Sequence, residues 1–233
     1  MTVIFSNGFE NPVSPFGWSG TLISLTCTAT AELTFPHHGS YGLQAYIPQA
    51  LASGKAAIVY YGSLAGAYSH LFVRAMNVRF DVLPEDTNDL HGIIGFWENS
   101  DSNNLAQAGC IKTAAGQFWG IRRRTGGAFA NVVGANTPVV NTNYCLEAEI
   151  IRSSAGNADG AVRLFVNGIL EVESTDLDND DRALNYVFFG AYGAGSPDLS
   201  DLNVYGDCVV ISDVYIGPEV SGILHRLLMG VGL

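Results

Sequence analysis

The sequence lacks any apolar run long enough to cross a membrane, and it has few basic residues. A membrane-spanning helix needs roughly 20 consecutive apolar residues, and no stretch of the 233-residue chain supplies them. Only 11 residues are Lys or Arg, against 22 Asp or Glu, so the formal net charge is −11. Nucleic-acid binding requires a basic surface, so we expect no nucleic-acid partner. Cationic partners, neutral glycans or partners bridged by a divalent cation fit this charge better.

The sequence also lacks closely spaced cysteines and an obvious secretory signal. Cys27, Cys110, Cys145 and Cys208 are scattered and never form a C-x-x-C pair, which argues against zinc and thioredoxin-like chemistry. Four cysteines can form disulfides in three different pairings, and the sequence does not distinguish them. Buried free thiols are favoured instead, because a chain of this length can build a core without cross-links. Residues 1–5 lack a basic region and a long apolar region, so no leader is expected.

Glycine and short β-branched or aromatic runs are abundant instead. The 27 glycines punctuate strand-like segments, and helical periodicity is almost absent. Between His70 and Val82, Phe72 and Val78 share one face while Asn77 lies on the other, as in a half-buried strand. The sequence predicts on the order of a dozen strands and contains no long repeat, which disfavours propellers and solenoids. The pattern predicts an all-β jelly-roll sandwich of two antiparallel sheets.

The segment Tyr205–Gly217 is the most strand-like stretch of the chain. It is β-branched, bounded by glycines and interrupted by one carboxylate, Asp213. Such an apolar strand is predicted to lie in the middle of a sheet. A buried carboxylate needs a partner, and Phe5–Glu10 at the start of the chain is the expected neighbour. The first and last strands are therefore predicted to pair.

The C-terminal tail has a different pattern. Ile223, Leu224, Leu227 and Leu228 are spaced for one face of a helix. We therefore divide the chain into a jelly-roll domain, residues 1–218, and a short apolar helical arm, residues 219–233. The arm either packs on its own sandwich or docks on a neighbouring subunit, and the second alternative predicts a homo-oligomer.

Several segments resemble concanavalin A-like (LamG-type) jelly rolls. Val3–Glu10, then Trp18, then His37–Ala45 is similar to the opening pattern FxxGFE…W…HxGxYGL of that family. Asp159–Gly168 resembles its DGxVxLxVNG hairpin, and Ser212–Ile216 resembles its closing DDVYI strand. The likeness runs in order from about residue 3 to residue 217 and implies the jelly-roll fold.

The resemblance implies function less directly, because the family includes lectins, polysaccharide-cleaving enzymes, adhesion modules and phage structural proteins. The compact form of the chain looks most like the phage type. It predicts a non-enzymatic structural protein, a capsid decoration or tail/fibre component of a tailed-phage virion with a possible adhesion role. Other virion proteins would then be its partners. The alternatives are a calcium-dependent lectin or adhesion module at the cell surface, or an extracellular filament subunit.

The resemblance also implies a structural calcium ion. Its ligands would be Glu10 after the first strand, the turn at Gly39 or Ser40, and Asp213 on the last strand. Hard oxygen ligands from separated segments suit that ion. The alternative is that Glu10 and Asp213 only cap turns or bind backbone amides.

The sequence shows no convincing catalytic motif. Glu147 and Glu149 share a strand face, but they do not match the E-x-D-x-x-E pattern of the glucanases in this superfamily, and the strand motifs of its lyases are not found. We therefore predict no enzyme. Trp97, Trp119 and Phe129 are the candidate glycan-binding aromatics, with core packing as the alternative for each.

Overall fold

The computed structural model describes residues 2–24, 26–48, 55–62, 64, 68–98, 104–194 and 201–218. In these ranges the chain forms fifteen β-strands and no helix. In chain order the strands are β1 Val3–Asn7, β2 Gly20–Ile23, β3 Thr28–Glu32, β4 Gly42–Ile47, β5 Lys55–Tyr61, β6 His70–Phe80, β7 Leu90–Trp97, β8 Asn104–Thr113, β9 Gly116–Thr125, β10 Ala128–Val133, β11 Tyr144–Ile151, β12 Gly160–Val166, β13 Ile169–Leu177, β14 Tyr186–Ala194 and β15 Leu202–Ser212.

The strands form two antiparallel sheets, which confirms the predicted jelly-roll sandwich. The larger sheet has eight strands, in the order β13-β12-β11-β6-β15-β4-β3, with β1 also paired to β15. The smaller sheet has seven strands, in the order β10-β9-β8-β7-β14-β5-β2. Strands distant in sequence are neighbours in both sheets, so the fold is held together by long-range pairing.

The main core lies between the two sheets. On β6 of the larger sheet, Leu71 and Val73 are fully buried, and on β7 of the smaller sheet Ile94 and Phe96 belong to the same apolar cluster. Residues that point into this layer mostly alternate along the strands, with shifts where the register of β6 and β7 is irregular. Burying one such side chain contributes about 1.5–3 kcal/mol.

The first and last strands pair as predicted. Phe5 lies opposite Ile211 and Asn7 lies opposite Val209. The expectation of a buried carboxylate on the last strand was correct in kind but placed on the wrong residue. β15 ends at Ser212, and Asp213 lies just beyond it, whereas Asp207 within the strand is completely buried.

No disulfide joins any of the four cysteines in the structure. Cys27, Cys110 and Cys145 are buried, and Cys208 is half-buried. Burial raises the pKa of Cys110 to about 12, so this side chain is a neutral thiol at physiological pH. The sequence favoured this state over disulfides.

The predicted arm, residues 219–233 with Ile223, Leu224, Leu227 and Leu228, lies outside the described residues. In the part of the chain that the structure describes, no helix is long and apolar enough to span a bilayer.

Candidate functional site

Residues on the outer face of the smaller sheet form a row that crosses all seven strands. On β8, Ala106 and Ala108 belong to the core between the sheets. Gln107 lies between them, so its side chain points to the opposite, outer face. Strand pairing then aligns outer-face residues from strand to strand. From β10 to β2 this cross-strand row is Asn131, Arg122, Gln107, Gly95, Phe188, Tyr60 and Gly20.

Four polar side chains gather on this face, and we call Asn104, Gln107, Arg122 and Tyr192 the polar cluster. Gln107 Nε2 donates to Asn104 Oδ1 at 3.2 Å, and the Asn104 side chain is hydrogen-bonded to the Tyr192 hydroxyl. Gln107 is 1% exposed, Tyr192 7% and Asn104 9%. The outer face of a two-layer sandwich normally points to water, so polar side chains this deeply buried must be covered by neighbouring parts of the protein.

Arg122 provides the positive charge of the polar cluster. Its Nε donates to Asn131 Oδ1 at 3.0 Å, and its Nη2 donates to the carbonyl oxygen of Asn88 at 2.7 Å. These two bonds fix the guanidinium beside Gln107, which is its cross-strand partner. Burial lowers the pKa of Arg122, while Tyr192 and Asp89 act in the opposite direction, and an arginine remains charged at physiological pH.

Burial also raises the pKa of Tyr192, against smaller opposing effects of the Asn104 hydrogen bond and the charge of Arg122. The phenol is therefore protonated at neutral pH. In the same cluster, Oε1 of Gln107 is buried without a hydrogen-bond partner. Unsatisfied buried polar atoms are uncommon in folded proteins. A protonated phenol, a fixed guanidinium and an unpaired amide oxygen therefore lie close together on this face.

Aromatic rings occupy the rest of this face. Trp97 lies 4.5 Å from Phe188 and 5.9 Å from Tyr192, measured between ring centroids. Tyr60 and Tyr186 lie 5.6 Å apart. With Ala56 and Ile58 these rings form a second apolar cluster, on the side of the sheet opposite the main core. Apolar side chains with a few convergent polar groups are the usual lining of a small-molecule or glycan site.

The structure separates the predicted glycan-binding aromatics. Trp97 lies on the outer face but is fully buried, and its Nε1–H has no hydrogen-bond partner. Phe129 is 48% exposed at the end of the same face, with the Arg124 guanidinium 5.6 Å from its ring centre. Trp119 is in the core between the sheets, 5.0 Å from Tyr144. The surface role predicted for Trp119 is therefore wrong, because the face of β9 cannot be read from the residue type.

The predicted calcium ligands fall into two places. The Glu10 carboxylate accepts hydrogen bonds from the backbone amides of Ser40, at 2.9 and 3.1 Å, and of Tyr41, at 3.2 Å, so it caps the turn that contains Gly39. Asp213 instead accepts a bond of 2.9 Å from the Thr2 amide at the beginning of the chain.

Asp213 therefore does not join Glu10. The residue of β15 next to the turn is Asp207, whose carboxylate accepts bonds from the amides of His37 and His38. Six residues of extended chain, about 20 Å, separate Asp207 from Asp213. The described residues hold no group of three or more His, Cys, Asp or Glu able to bind a metal ion. The predicted ligand set does not fit one ion, and calcium stays a prediction.

Glu147 and Glu149 do share a face, as predicted, but it is the outer face of the larger sheet. Glu147 accepts bonds of 2.8 Å from the amides of Ile216 and Gly217. Glu149 pairs with His70 at 2.6 Å and with Arg163 at 2.9 Å. Both carboxylates are engaged within the protein and lie on the opposite side of the sandwich from the polar cluster.

Sequence reasoning did not find Asn104, Gln107 or Tyr192. The one available signal in the sequence is a polar residue, Gln107, at the beginning of an otherwise mostly apolar segment. Arg122 lies in a basic run of three residues, which does not by itself indicate a site. The cluster comes from three strands, β8, β9 and β14, so no single sequence motif contains it.

Comparisons with known proteins identify similar folds. No family model matches the sequence, and no curated protein matches it. Among solved structures, an endo-β-1,4-glucuronan lyase from the fungus Trichoderma reesei is similar at 13% identity and a TM-score of 0.66, over 91% of this chain and 96% of that one. An alginate lyase from Aplysia kurodai has 12% identity and a TM-score of 0.63, over 92% and 100% of the two chains. The cellulose-induced protein Cip1 has 16% identity and a TM-score of 0.62, with the same coverage.

At these identities the likeness shows the fold alone, a jelly-roll β-sandwich that is consistent with the concanavalin A-like type. The findings contradict the prediction of a non-enzymatic phage structural protein and the prediction that the chain is not an enzyme, because the similar structures include polysaccharide lyases. Nothing in these comparisons supports the phage type. The error has a physical cause: absence of a contiguous motif says little when the relevant side chains come from separate strands.

Proposed function

We propose that this protein is a polysaccharide lyase that cleaves a uronic-acid-containing polysaccharide by β-elimination on the outer face of the smaller sheet. The observation that carries the proposal is the polar cluster, which is buried on a face that a sandwich normally presents to water. The shared fold with a glucuronan lyase and an alginate lyase supports the choice of reaction.

The first requirement of β-elimination is to neutralise the uronate carboxylate, which makes the neighbouring C5 proton acidic. Arg122 supplies a positive charge that is already fixed by its bonds to Asn131 and Asn88. Gln107 and Asn104 add amide groups beside it. Preorganised donors in a partly desolvated site stabilise developing negative charge more effectively than water does.

The second requirement is a group that removes the C5 proton and protonates the departing glycosidic oxygen. Tyr192 is the titratable hydroxyl of the polar cluster, and one phenol can perform both tasks. Its phenolate form takes the proton from C5, and the phenol so formed passes that same proton to O4. The C4–O4 bond breaks, a C4–C5 double bond forms, and the tyrosine is regenerated. The Asn104 hydrogen bond and the charge of Arg122 favour the phenolate that this exchange requires, against the effect of burial.

The test is to incubate the purified protein with polyglucuronate and with alginate, and to follow the ultraviolet absorbance of the new double bond. Wild type should form unsaturated oligosaccharides. The Tyr192→Phe variant should lose turnover by about a hundredfold or more, the range typical of a lost acid–base group. Tyr46→Phe is the matched control, because Tyr46 lies on the outer face of the larger sheet.

Absence of unsaturated product from every uronate polymer tested would refute the lyase function. Turnover by Tyr192→Phe equal to that of wild type would remove Tyr192 from the mechanism. Unfolding curves that match wild type would show that the loss is chemical and not structural.

A further inference from the structure

We propose that Tyr60 and Tyr186 form a sugar-binding subsite, separate from the polar cluster, that holds a residue of the same polysaccharide away from the cleavage point. This inference rests on the proposed function and specifies how the substrate lies on the sheet. Both residues are on the outer face, on the neighbouring strands β5 and β14.

The two rings form a corner. Their centroids are 5.6 Å apart and their planes meet at 75°. Both tyrosines are half-buried, so part of each remains exposed, whereas Phe188 and Trp97 beside them are fully buried. A sugar ring can stack its apolar C–H face on one tyrosine while its edge contacts the other. Large, rigid aromatic side chains provide such contact area at low conformational cost.

Two glycines determine where these rings lie. A Cβ at Gly20 would collide with the hydroxyl and ring of Tyr60, and a Cβ at Gly62 would lie 2.6 Å from Cε1 of Tyr186. Each ring therefore occupies volume that a side chain would otherwise fill and rests against backbone. The two rings therefore lie close to the backbone of the sheet and are positioned before a ligand binds. This lowers the entropic cost of binding.

The hydroxyl groups of the corner are available. Within the described ranges, neither the Tyr60 nor the Tyr186 hydroxyl makes a hydrogen bond to the protein. A tyrosine at a binding surface combines an apolar body with a polar tip. Sugars offer the complementary combination, a C–H face bordered by hydroxyl groups.

The position of the corner sets the direction of the substrate. Tyr60 belongs to the same cross-strand row as Gln107 and lies three strands away, which corresponds to about 14 Å at the usual strand spacing. A chain that places its reacting uronate at the polar cluster and runs across the strands reaches Tyr60 several sugar residues later. Short oligosaccharides that fill only the polar cluster do not reach it.

The experiment measures KM and kcat on a ladder of uronate oligosaccharides, from disaccharide upward, for wild type, Tyr60→Ala and Tyr186→Ala. Wild-type KM should fall when the oligosaccharide becomes long enough to reach the corner. Each alanine variant should remove this gain, with KM for long substrates rising about tenfold, the effect of losing one ring contact. The kcat value and the KM for short substrates should stay near wild type.

Two further variants keep the test interpretable if alanine disturbs folding. Tyr60→Phe keeps the ring and should retain most of the length dependence. Tyr46→Ala removes a half-buried tyrosine from the outer face of the larger sheet and should change neither parameter. Binding of the same ladder, measured by calorimetry, provides a readout that does not require turnover.

The two proposals fail in different ways. If wild type cleaves uronate chains but Tyr60→Ala and Tyr186→Ala keep the wild-type length dependence, the subsite is refuted and the lyase function stands. If wild type binds the ladder with the expected length dependence but never cleaves it, the lyase function is refuted and the subsite stands. If wild type binds no uronate oligosaccharide of any length, the subsite is refuted as well.

Discussion

Asp207 is a single buried carboxylate that holds a turn from another part of the chain. Its Oδ2 accepts bonds from the amides of His37 at 2.7 Å and His38 at 3.0 Å, and its Oδ1 accepts one of 2.6 Å from Cys208. The side chain is completely buried. Three backbone donors compensate a carboxylate that would otherwise be costly to bury.

Replacing Asp207 by alanine should lower the free energy of unfolding by about 3 kcal/mol, because the amides of His37 and His38 lose their charged acceptor. Urea unfolding followed by tryptophan fluorescence measures the change. The control is Asp213→Ala, which removes a bond to the amide of Thr2 at a partly exposed site and should cost about 0.5 kcal/mol or less. A larger effect at Asp213 than at Asp207 would contradict this account.

Asp207 and Asp213 also show which part of the structure could not be predicted from the sequence. The alternation of the last strand predicted both its central position and its pairing with the first strand, since these follow from composition. Which aspartate is buried depends on where the strand ends and on the register with β1, and neither is encoded in a short local pattern. The prediction therefore selected Asp213 instead of Asp207.

At the scale of elements, the segment that follows β15 crosses the outer face of the larger sheet and is fixed there. Its amides at Ile216 and Gly217 bind Glu147, and its carbonyl oxygen at Gly217 accepts a bond of 2.9 Å from Arg74 Nη1. Tyr215 packs 5.2 Å from Phe165. The segment covers Glu147, which is why a carboxylate on an outer face is only 2% exposed.

Burial raises the pKa of Glu147, although the amides of Ile216 and Gly217 and the charge of Arg74 act against this. The folded protein therefore holds the Glu147 proton more tightly than the unfolded chain. The contribution of this group to stability is present below its ordinary pKa and is lost as pH rises through the raised pKa.

The expected result is that wild type loses stability relative to Glu147→Gln as pH rises across that interval, because glutamine cannot ionise. Urea unfolding of both proteins at a series of pH values gives the difference, in which the titration of all other carboxylates cancels. The neighbouring acid Glu149 interacts with Glu147, so Glu149→Gln serves as the second comparison. A difference between wild type and Glu147→Gln that does not change with pH would contradict the prediction.

Strand patterns predicted the elements well but not the faces of the smaller sheet. Aromatic residues occur on both of its sides, Trp119 in the main core and Trp97 on the outer face. A strand that is apolar on both faces loses the alternation from which its orientation is read. The candidate site lies on this sheet, so it could be recognised only when strand pairing was known.

At the scale of the whole molecule, the charge of the protein and the charge of the proposed substrate have the same sign. The net charge is −11, and a polyuronate is a polyanion, while Arg122 provides a local positive charge at short range. Long-range repulsion is screened by salt, with a Debye length of about 10 Å at 0.1 M, whereas the contact of a carboxylate with a partly buried guanidinium is screened much less.

We therefore expect kcat/KM for a polyuronate to rise when salt is added to a low-salt buffer, because screening removes repulsion before it weakens the contact with Arg122. Steady-state assays at increasing sodium chloride measure this. A neutral polysaccharide of similar length, tested for binding, should show little dependence on salt. A monotonic fall of kcat/KM from the lowest salt concentration would contradict the expectation.

The whole molecule also explains why family resemblance predicted the fold but did not lead to the function proposed above. The segments that carried the resemblance, such as Val3–Glu10 and Ser212–Ile216, contain the paired first and last strands and the Glu10 turn cap. They lie in or beside the larger sheet and specify its closure. The proposed function depends on the other sheet, and one fold supports many functions.

The pairing pattern of β15 has a consequence for the synthesis of the protein. β15 is the last strand of the described chain, yet β6 pairs with one of its edges while β4 and β1 share the other. Until the ribosome has synthesised β15, β1, β4 and β6 have no central strand to pair with. Their backbone edges stay unpaired and their apolar faces stay exposed. Such nascent states favour intermolecular strand pairing. The yield of soluble protein in a cell should therefore depend on chaperones that protect the chain until its last strand leaves the exit tunnel.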